Sequence, residues 1–249
     1  MIILKSPREL DLMRHANKIV AETHAYLAEK IAVGITTADL DRLCEEFIRS
    51  KGATPSFKGY KGYPASLCVS INEEVVHGIP SKKRIINDGD LISLDIGAFY
   101  EGFHGDAARS LGVGKLSDEA KRLIKVCKES FYKGVEEASI GKRLTDISYQ
   151  IQKHAESHGY SVVREYVGHG IGRKMHEAPQ IPNFGPPNRG PKLKAGMTLA
   201  IEPMLNLGTF EVESLEDGWT VVTADRKLSA HYENTIAITE EGFEILSLL

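Results

Sequence analysis

Five residues of this chain have the types and the spacing to do chemistry: Asp95, Asp106, His169, Glu202 and Glu233. Segments 89–95 (GDLISLD) and 196–202 (GMTLAIE) both lead from a glycine through apolar residues to an acid. The two acids are 107 positions apart (202 minus 95), and the same offset relates Gly52 to Gly159. The pattern predicts a doubled unit whose two halves place their carboxylates in one shared site.

A metal site is the chemistry that this pattern favours. Any one of the acids is equally compatible with a strand end in solvent or with an ion pair to arginine or lysine. Four acids held together would raise one another's pKa values, whereas two divalent cations about 3.5–4 Å apart would remove the repulsion. An oxygen-rich shell with one imidazole suits Mn²⁺, Fe²⁺ or Co²⁺. Such a centre would activate a hydroxide for attack on a carbonyl or phosphoryl group.

The histidines divide by their surroundings. His77 and His169 each begin a His-Gly-Ile triplet, one in each half, and glycine lets a ligand approach the backbone closely. Beside a carboxylate cluster, this pairing favours a functional interpretation over a structural one. His104 and His231 each lie two residues before an acid of the set, where they would either support the ligands or lie at the surface.

Length and composition exclude several classes of protein. The 249 residues suit one large domain or two intimate halves, with 42% hydrophobic and 26% charged residues. A net charge of -3 gives no basic surface for nucleic acid or for an anionic membrane, and no apolar run approaches about 18 residues. The three cysteines are odd in number and widely spaced, which argues against a disulfide framework. We therefore expect a cytoplasmic protein without a signal peptide.

The elements alternate in a way that predicts an α+β fold. A capping box at Ser6-Pro7-Arg8-Glu9 predicts a helix start, and further helices are expected over 37–49, after Ser117 and over 145–158. Strands are expected over 66–71, 90–96, 106–112, 161–167, 198–205, 219–224, 233–238 and 243–247. Five prolines predict an irregular loop over 179–191, either a rim beside a site or a rigid surface connection. The order predicts two pseudo-twofold-related halves, roughly 1–115 and 116–249, of antiparallel sheet covered by helices.

Seven motifs carry a resemblance that covers essentially the whole chain. They are 59–64 (GYKGYP), 68–80 (CVSINEEVVHGIP), 90–95 (DLISLD), 102–106 (GFHGD), 168–172 (GHGIG), 201–204 (IEPM) and 232–235 (YENT). Together they resemble the type I methionine aminopeptidases, a metal-dependent peptidase family with the pita-bread fold. The resemblance implies a single catalytic domain over residues 1–249 that removes the initiator methionine from nascent proteins and peptides whose second residue is small.

The resemblance implies a role for each of the five residues. Asp95 and Asp106 would bind one divalent metal ion, and Asp106 and Glu233 would bridge to a second. His169 and Glu202 would complete the shell of the second ion, and Glu202 would also be the general base. A hydroxide held between the two metals would attack the first peptide bond. Cobalt, manganese, iron(II), zinc and nickel are the candidate metals.

Further residues match the family's substrate site. The resemblance implies that His77 contacts the substrate near the scissile amide and that His176 hydrogen-bonds the carbonyl oxygen as it becomes tetrahedral. The residues that match the pocket for the methionine side chain are Tyr60, Tyr63, Cys68 and Trp219. A thioether suits such an apolar, polarizable lining. Ordinary core packing is the alternative explanation for these four residues.

Two positions depart from the commonest family pattern. Met175 stands where an aromatic residue is frequent, and Phe57 stands where a small residue or cysteine is frequent. Both are expected to line the substrate pocket, so its shape and its selectivity are where this chain would differ. Asn72 and Ser229 match a monovalent-cation site of the family.

The implied partners are the N-termini of nascent polypeptides, including chains still at the ribosome. We expect a monomer that binds neither nucleic acid nor membranes. One alternative is an Xaa-Pro aminopeptidase or prolidase, which shares the fold and the ligands but usually carries an extra N-terminal domain. A second alternative is a non-catalytic pita-bread binding module, but such modules typically lose metal ligands, and all five are present here.

Overall fold

The computed structural model describes all residues, 1–249, and has the α+β architecture that the sequence predicts. The four helices are α1 (Pro7–Lys30), α2 (Thr37–Ser50), α3 (Asp118–Val135) and α4 (Leu144–Ser157). The first-half strands are β1 (Thr54–Pro55), β2 (Leu67–Ile71), β3 (Glu74–Val76), β4 (Leu91–Tyr100) and β5 (Phe103–Gly112). The middle strands are β6 (Ser161–Val162), β7 (Gly168–Gly170), β8 (Glu177–Ile181), β9 (Thr198–Ile201) and β10 (Met204–Asn206). The last are β11 (Val212–Ser214), β12 (Val221–Thr223), β13 (Ser229–His231), β14 (Asn234–Thr239) and β15 (Gly242–Ile245).

Local sequence signals set the helix starts. Ser6 accepts from the backbone N–H of Glu9, whose side chain accepts from the backbone N–H of Ser6, so the predicted capping box is present. Thr36 caps the N-terminus of α2 and Ser117 caps that of α3, and each side chain accepts from the backbone N–H three residues later. Each cap satisfies N–H groups that have no partner inside the helix.

Two antiparallel sheets form the centre of the molecule. In the first, β4 is flanked by β1, β2 and β5, and β4 and β5 form a long hairpin. The second has five strands in the order β15-β14-β9-β7-β8. Two smaller sheets of three strands each complete the fold.

The two halves repeat their elements at the offset seen in the sequence. Helices α2 and α4 both have 14 residues, and their starts, Thr37 and Leu144, differ by 107 positions. Strands β4 and β9 begin at Leu91 and Thr198, which differ by the same number. One buried cluster of 16 hydrophobic residues lies wholly within residues 19–113. A second cluster of 25 draws all its members from residues 116–238 except Leu91.

Several strand predictions were wrong in extent. The strand expected over 161–167 is only Ser161–Val162, and the one expected over 198–205 is interrupted at Glu202 and Pro203. Strand β8 includes Pro179, in a stretch that we expected to be irregular throughout. Because β8 is at the edge of its sheet, a residue without a backbone N–H is tolerated there. The strand around Asp95 continues to Tyr100, so this acid lies within the strand and not at its end.

Two further features bear on the sequence predictions. All three cysteines are buried and free, as the absence of a paired spacing indicated. No helix combines the length and the apolar character that a membrane crossing requires.

Candidate metal centre

The β4–β5 hairpin positions the two first-half acids. Asp95 faces Ala108 across the hairpin, and Asp106 faces Gly97, so the two carboxylates belong to neighbouring strands two positions apart in register. The hydroxyl of Thr235 in β14 donates to the backbone oxygen of Asp106 at 2.9 Å. The position of Asp106 therefore depends on the second half as well as on its own strand.

The two second-half acids lie at the ends of neighbouring strands: Glu202 directly follows β9, and Glu233 directly precedes β14. Ile201 pairs with Asn234, and Glu202 and Glu233 are the next residues outward on the two strands. The backbone N–H of Glu233 donates to the carbonyl oxygen of Ala108 at 3.0 Å, which joins β5 to the second sheet. His169 is in β7, next to β9, and pairs with Ala200. The five residues thus meet at the seam between the halves.

Distances around His169 are compatible with ligands that share an ion. Its Nε2 lies 3.7 Å from Oδ2 of Asp106 and 3.6 Å from Oε1 of Glu202. Both exceed a good hydrogen bond, but ligand bonds of about 2.1 Å allow separations up to about 4.2 Å around one ion. The Nδ1 of His169 donates to the backbone oxygen of Gly170 at 2.9 Å, which leaves the lone pair on Nε2. Asp106, His169 and Glu233 offer buried ligand atoms that all lie within 4.8 Å of one another.

Three carboxylate oxygens of the cluster are buried without any hydrogen-bond partner: Oδ1 of Asp95, Oδ1 of Asp106 and Oε1 of Glu233. A buried carboxylate is costly unless it is paired, hydrogen-bonded or bound to metal. Burial raises the pKa of Asp95 to about 7. Burial and the neighbouring carboxylates raise the pKa values of Asp106, Glu202 and Glu233 well above their usual range. Divalent cations would remove both penalties, so the donor set fits them.

Burial has the opposite effect on the histidines of the site. It lowers the pKa of His169 to about 3 and that of His77 to about 4, with a further lowering by His176 in both. The pKa of His176 is lowered by burial and by Lys61. These imidazoles are therefore neutral at pH 7, the form in which a nitrogen can accept from a donor or bind a metal.

The two histidines that we left undecided differ in the structure. His104 is half-buried, and its Nδ1 shares a hydrogen bond of 2.8 Å with the hydroxyl of Ser56. His231 is buried, and its Nε2 has no hydrogen-bond partner. That nitrogen lies 3.9 Å from Oε2 of Glu233 and 4.0 Å from Oε2 of Glu202. His231 therefore lies beside the proposed second-half ligands Glu202 and Glu233.

Strand register shows that the two halves are not equivalent in their ligands. In the first half, Asp106 faces Gly97 across the sheet. The equivalent of Gly97 in the second half, 107 positions later, is Met204, and the residue that faces Met204 is His231. His231, and not Glu233, is thus the register counterpart of Asp106. Sequence spacing could not reveal this difference, because it depends on which residues of two strands face each other.

All of the site residues expected from the sequence line one cavity of about 180 Å³: Phe57, Tyr60, Tyr63, Cys68, His77, Asp95, Asp106, His169, Met175, His176, Glu202, Trp219 and Glu233. Four other residues of the lining were missed: Lys61, Val76, Tyr166 and Val167. Each lies within three positions of a residue that was identified, so closeness to the motifs in the sequence is the feature by which these four residues could have been predicted. The metal ligands and the apolar pocket therefore open into the same space.

One wall of the cavity is apolar and tightly held. The hydroxyl of Tyr63 lies 3.1 Å from the backbone oxygens of Leu67 and Gly78, to which it can donate. The Trp219 ring meets the Tyr63 ring edge-on, with centroids 5.1 Å apart. Cys68 and Met175 are buried, with 4% and 2% of their surfaces exposed. Burial raises the pKa of the Cys68 thiol well above its usual range, so this cysteine acts as an uncharged apolar group.

His176 is oriented by its neighbours. Its Nδ1 shares a hydrogen bond of 2.9 Å with the hydroxyl of Tyr60, and the two rings are stacked with centroids 5.3 Å apart. On the other side its ring lies 4.1 Å from that of His169. His77 has a left-handed backbone conformation (φ 62°) and meets the ring of Trp219 edge-on at 6.1 Å. His176 thus lies beside the proposed ligand His169, and His77 lies beside the apolar wall.

Replacing Tyr60 with Phe tests the orientation of His176. The change keeps the ring and removes only the hydroxyl that bonds Nδ1. A hydrogen bond contributes about 1 kcal/mol, so kcat/KM for a methionyl peptide is expected to fall roughly fivefold. Tyr149→Phe is the matched control, because Tyr149 is exposed and remote from the cavity. Equal losses in both variants would contradict the assigned orientation.

Replacing Asp95 with Asn tests the electrostatic cost of the metal-free site. Asp95 ionises near pH 4 in the unfolded chain but only at a pKa of about 7 in the fold, so its burial destabilises the folded state increasingly from about pH 4 to about pH 7 and fully above pH 7. Without metal, the Asn variant is expected to melt at a higher temperature than the unsubstituted protein at pH 8. The difference should shrink as the pH falls towards 5, since Asp95 then becomes protonated. A difference that is independent of pH between 8 and 5 would contradict the shift.

The two residues matched to a monovalent-cation site do come together. The backbone N–H of Ser229 donates to the carbonyl oxygen of Asn72 at 2.9 Å. The side-chain oxygen of Asn72 accepts from the backbone N–H of Leu91 at 3.0 Å. Both oxygens of Asn72 are thus already hydrogen-bonded, and monovalent-cation binding stays a prediction.

A pita-bread fold with a carboxylate and imidazole centre at its seam defines a metal-dependent hydrolase. Comparison with known proteins identifies the group within that class. The sequence model of metallopeptidase family M24 matches residues 11–240. The chain belongs to metallopeptidase family M24.

Individual relatives agree with this assignment. A methionine aminopeptidase of Clostridium perfringens is 60% identical over 249 residues, which is 100% of both chains. The crystal structure of a methionine aminopeptidase from Thermotoga maritima has a TM-score of 0.98, 46% identity and full coverage of both chains. A prolidase from Pyrococcus horikoshii has a TM-score of 0.81 at 24% identity, with 99% of this chain and 64% of the prolidase covered. The prolidase shares the fold, whereas the methionine aminopeptidases share the sequence over their full length.

Proposed function

We propose that this protein is a methionyl aminopeptidase, which removes the N-terminal methionine from nascent proteins and peptides whose second residue is small. The observation that carries the proposal is the meeting of five metal-ligating residues and an apolar, sulfur-containing pocket in one cavity. Metal-dependent hydrolysis needs the metal-ligating residues, and selection of a thioether side chain needs the apolar pocket. Full-length identity of 60% to a methionine aminopeptidase supports the same reaction.

The five ligands would hold two divalent metal ions. Asp95 and Asp106 would bind one, and Asp106 and Glu233 would bridge to the other, which His169 and Glu202 complete. When bound, the metals supply Lewis-acid polarisation of the scissile carbonyl and lower the pKa of a bound water. Manganese, iron(II), cobalt, zinc and nickel remain candidates, because availability as well as ligand type selects the metal.

The protein side chains would bind and orient the substrate and move its protons. Glu202 is the base for the attacking water, since its side chain is 14% exposed and so reaches solvent in the cavity. The methionine side chain would lie against Tyr63, Cys68 and Trp219. His77 would contact the scissile amide. His176 would donate from Nε2 to the carbonyl oxygen as negative charge develops there, while its Nδ1 accepts from Tyr60.

We further propose that residues 1–249 form a single catalytic domain that acts as a monomer. Contacts across the seam support one domain, because the backbone of Glu233 is bonded to Ala108 and the site draws on both halves. Three free buried cysteines suit a reducing compartment, which fits a cytoplasmic enzyme acting on nascent chains at or after the ribosome.

The release of methionine from Met-Ala-Ser, with Mn²⁺, Co²⁺ or Fe²⁺ added, tests the proposal. An Xaa-Pro peptide such as Ala-Pro-Ser is the matched comparison, because it tests the reaction of the prolidase alternative. We expect efficient release of methionine, negligible release from Ala-Pro-Ser, and loss of activity with a chelator. Preferential cleavage of Ala-Pro-Ser would replace the proposal with the prolidase alternative, and no cleavage with any metal would favour a binding module.

A further inference from the structure

The outer face of the α3–α4 helix pair carries a second group of metal-ligating side chains. Glu129 on α3, His154 on α4 and His158 just after α4 offer one ligand atom each, all within 4.8 Å of one another. None of the three lines the central cavity. The sequence alone favours a structural or solvated role for both histidines, because both fall in the helix expected over 145–158.

The ring nitrogens are arranged for binding. The Nδ1 of His158 lies 2.8 Å from the backbone oxygen of His154, so it carries the hydrogen and leaves a lone pair on Nε2. The Nε2 of His154 is buried and has no hydrogen-bond partner, although Oε2 of Glu129 is only 3.4 Å away. The two atoms are therefore within ion-pair distance but form no hydrogen bond, an arrangement compatible with ligands of a common ion.

Spacing and charge favour a cation at this place. Histidines four residues apart lie on one face of a helix, and this is the spacing by which helices bind zinc. The group is at the C-terminal end of α4, where the helix dipole attracts positive charge. The competing cation is Lys125, whose ammonium lies 3.7 Å from Glu129. Its side chain is 73% exposed and can move into solvent at little cost.

We propose that Glu129, His154 and His158 bind one divalent transition-metal ion, of the Zn²⁺, Ni²⁺ or Cu²⁺ type, separate from the catalytic centre. Two imidazoles and one carboxylate are a ligand set that these ions accept, with the remaining positions taken by water. Since the ligands come from α3 and from the end of α4, the bound ion joins the two helices. Binding to the folded state alone would raise the melting temperature once the metal concentration exceeds the Kd, and the rise would follow the logarithm of that concentration.

The test counts Zn²⁺ ions per chain by equilibrium dialysis of the full chain and measures the zinc-dependent change in melting temperature. The variant is His158→Gln. The matched control is His15→Gln, because the Nδ1 of His15, like that of His158, lies close to a carbonyl oxygen four residues earlier, here at 2.9 Å. Neither the number of bound Zn²⁺ ions nor the melting temperature depends on catalytic turnover. Zinc bound at the catalytic centre contributes equally to both measurements in all three proteins.

We expect His158→Gln to bind one Zn²⁺ fewer than the unsubstituted protein and His15→Gln, and to lose part of the zinc-dependent rise in melting temperature. Hydrolysis of Met-Ala-Ser with Mn²⁺ should be equal in all three. The same number of Zn²⁺ ions in all three proteins would overturn the proposal. Glu129→Gln removes a ligand from the other helix and gives the same comparison if His158→Gln folds poorly.

Discussion

Replacing Asp106 with Asn is expected to abolish methionine release while leaving the fold intact. Asp106 is one of two carboxylates, with Glu233, that would be shared by both metals in the proposed centre, and an amide carries no negative charge and offers only one oxygen. Loss of about 4 kcal/mol of charge stabilisation corresponds to a decrease in kcat/KM of roughly a thousandfold. Steady-state hydrolysis of Met-Ala-Ser after reconstitution with Mn²⁺ measures the effect.

The structure explains why the fold should survive this change. The backbone of Asp106 is held by Thr235 and by its pairing with Gly97, and neither contact uses the carboxylate. Without metal the Asn variant loses a source of repulsion, so its melting temperature should not fall. Asp118→Asn is the control, because that side chain is 99% exposed. Near-normal turnover of reconstituted Asp106→Asn would refute the ligand assignment.

Replacing Glu202 with Gln is expected to lower kcat by about 10²–10⁴-fold even when the metal is saturating, which is the usual contribution of a general base. The amide oxygen can still lie near Nε2 of His169, which is 3.6 Å from Oε1 of Glu202, but it cannot accept a proton from water. The backbone oxygen of Glu202 remains bonded to Nδ2 of Asn183 at 3.0 Å, so the main chain should stay in place. The measurement is kcat for Met-Ala-Ser as a function of added Mn²⁺.

The comparison with Asp95→Asn separates the two roles of Glu202. Asp95 is the symmetry counterpart of Glu202 but is proposed as a ligand only, so excess metal should restore part of the activity of Asp95→Asn. The same excess should not restore Glu202→Gln. Equal recovery of both variants would mean that Glu202 is a ligand without a role as base. Metal analysis of each protein shows whether the ions are bound.

The sequence predicted which residues line the cavity better than it predicted where the strands begin and end. The acid-ending segments, the His-Gly-Ile triplets and the resemblance named thirteen residues that the structure brings together around one cavity. These signals are local, and so is the capping box at Ser6. Strands of three residues such as Ser229–His231 were missed because they are too short for a periodic pattern and depend on a partner far along the chain.

His231 illustrates what local reasoning cannot reach. Its spacing from Glu233 allowed either a position beside the ligands or a surface position, and only the register of β10 with β13 decides between them. The group of Glu129, His154 and His158 was invisible for the same reason, because α3 and α4 must pack before those side chains meet. In both places the missing information is which distant segments become neighbours.

The seam between the halves has a consequence for the synthesis of the protein itself. Asp95 and Asp106 leave the ribosome first, as a pair of acids in one hairpin, and the remaining ligands follow in the order His169, Glu202 and Glu233. A chain that stops before Glu233 lacks one of the two carboxylates that would bridge the proposed metals. If the proposed centre is correct, loading of both ions would be a late event in biogenesis, and the emerging enzyme would stay inactive until β14 joins the second sheet.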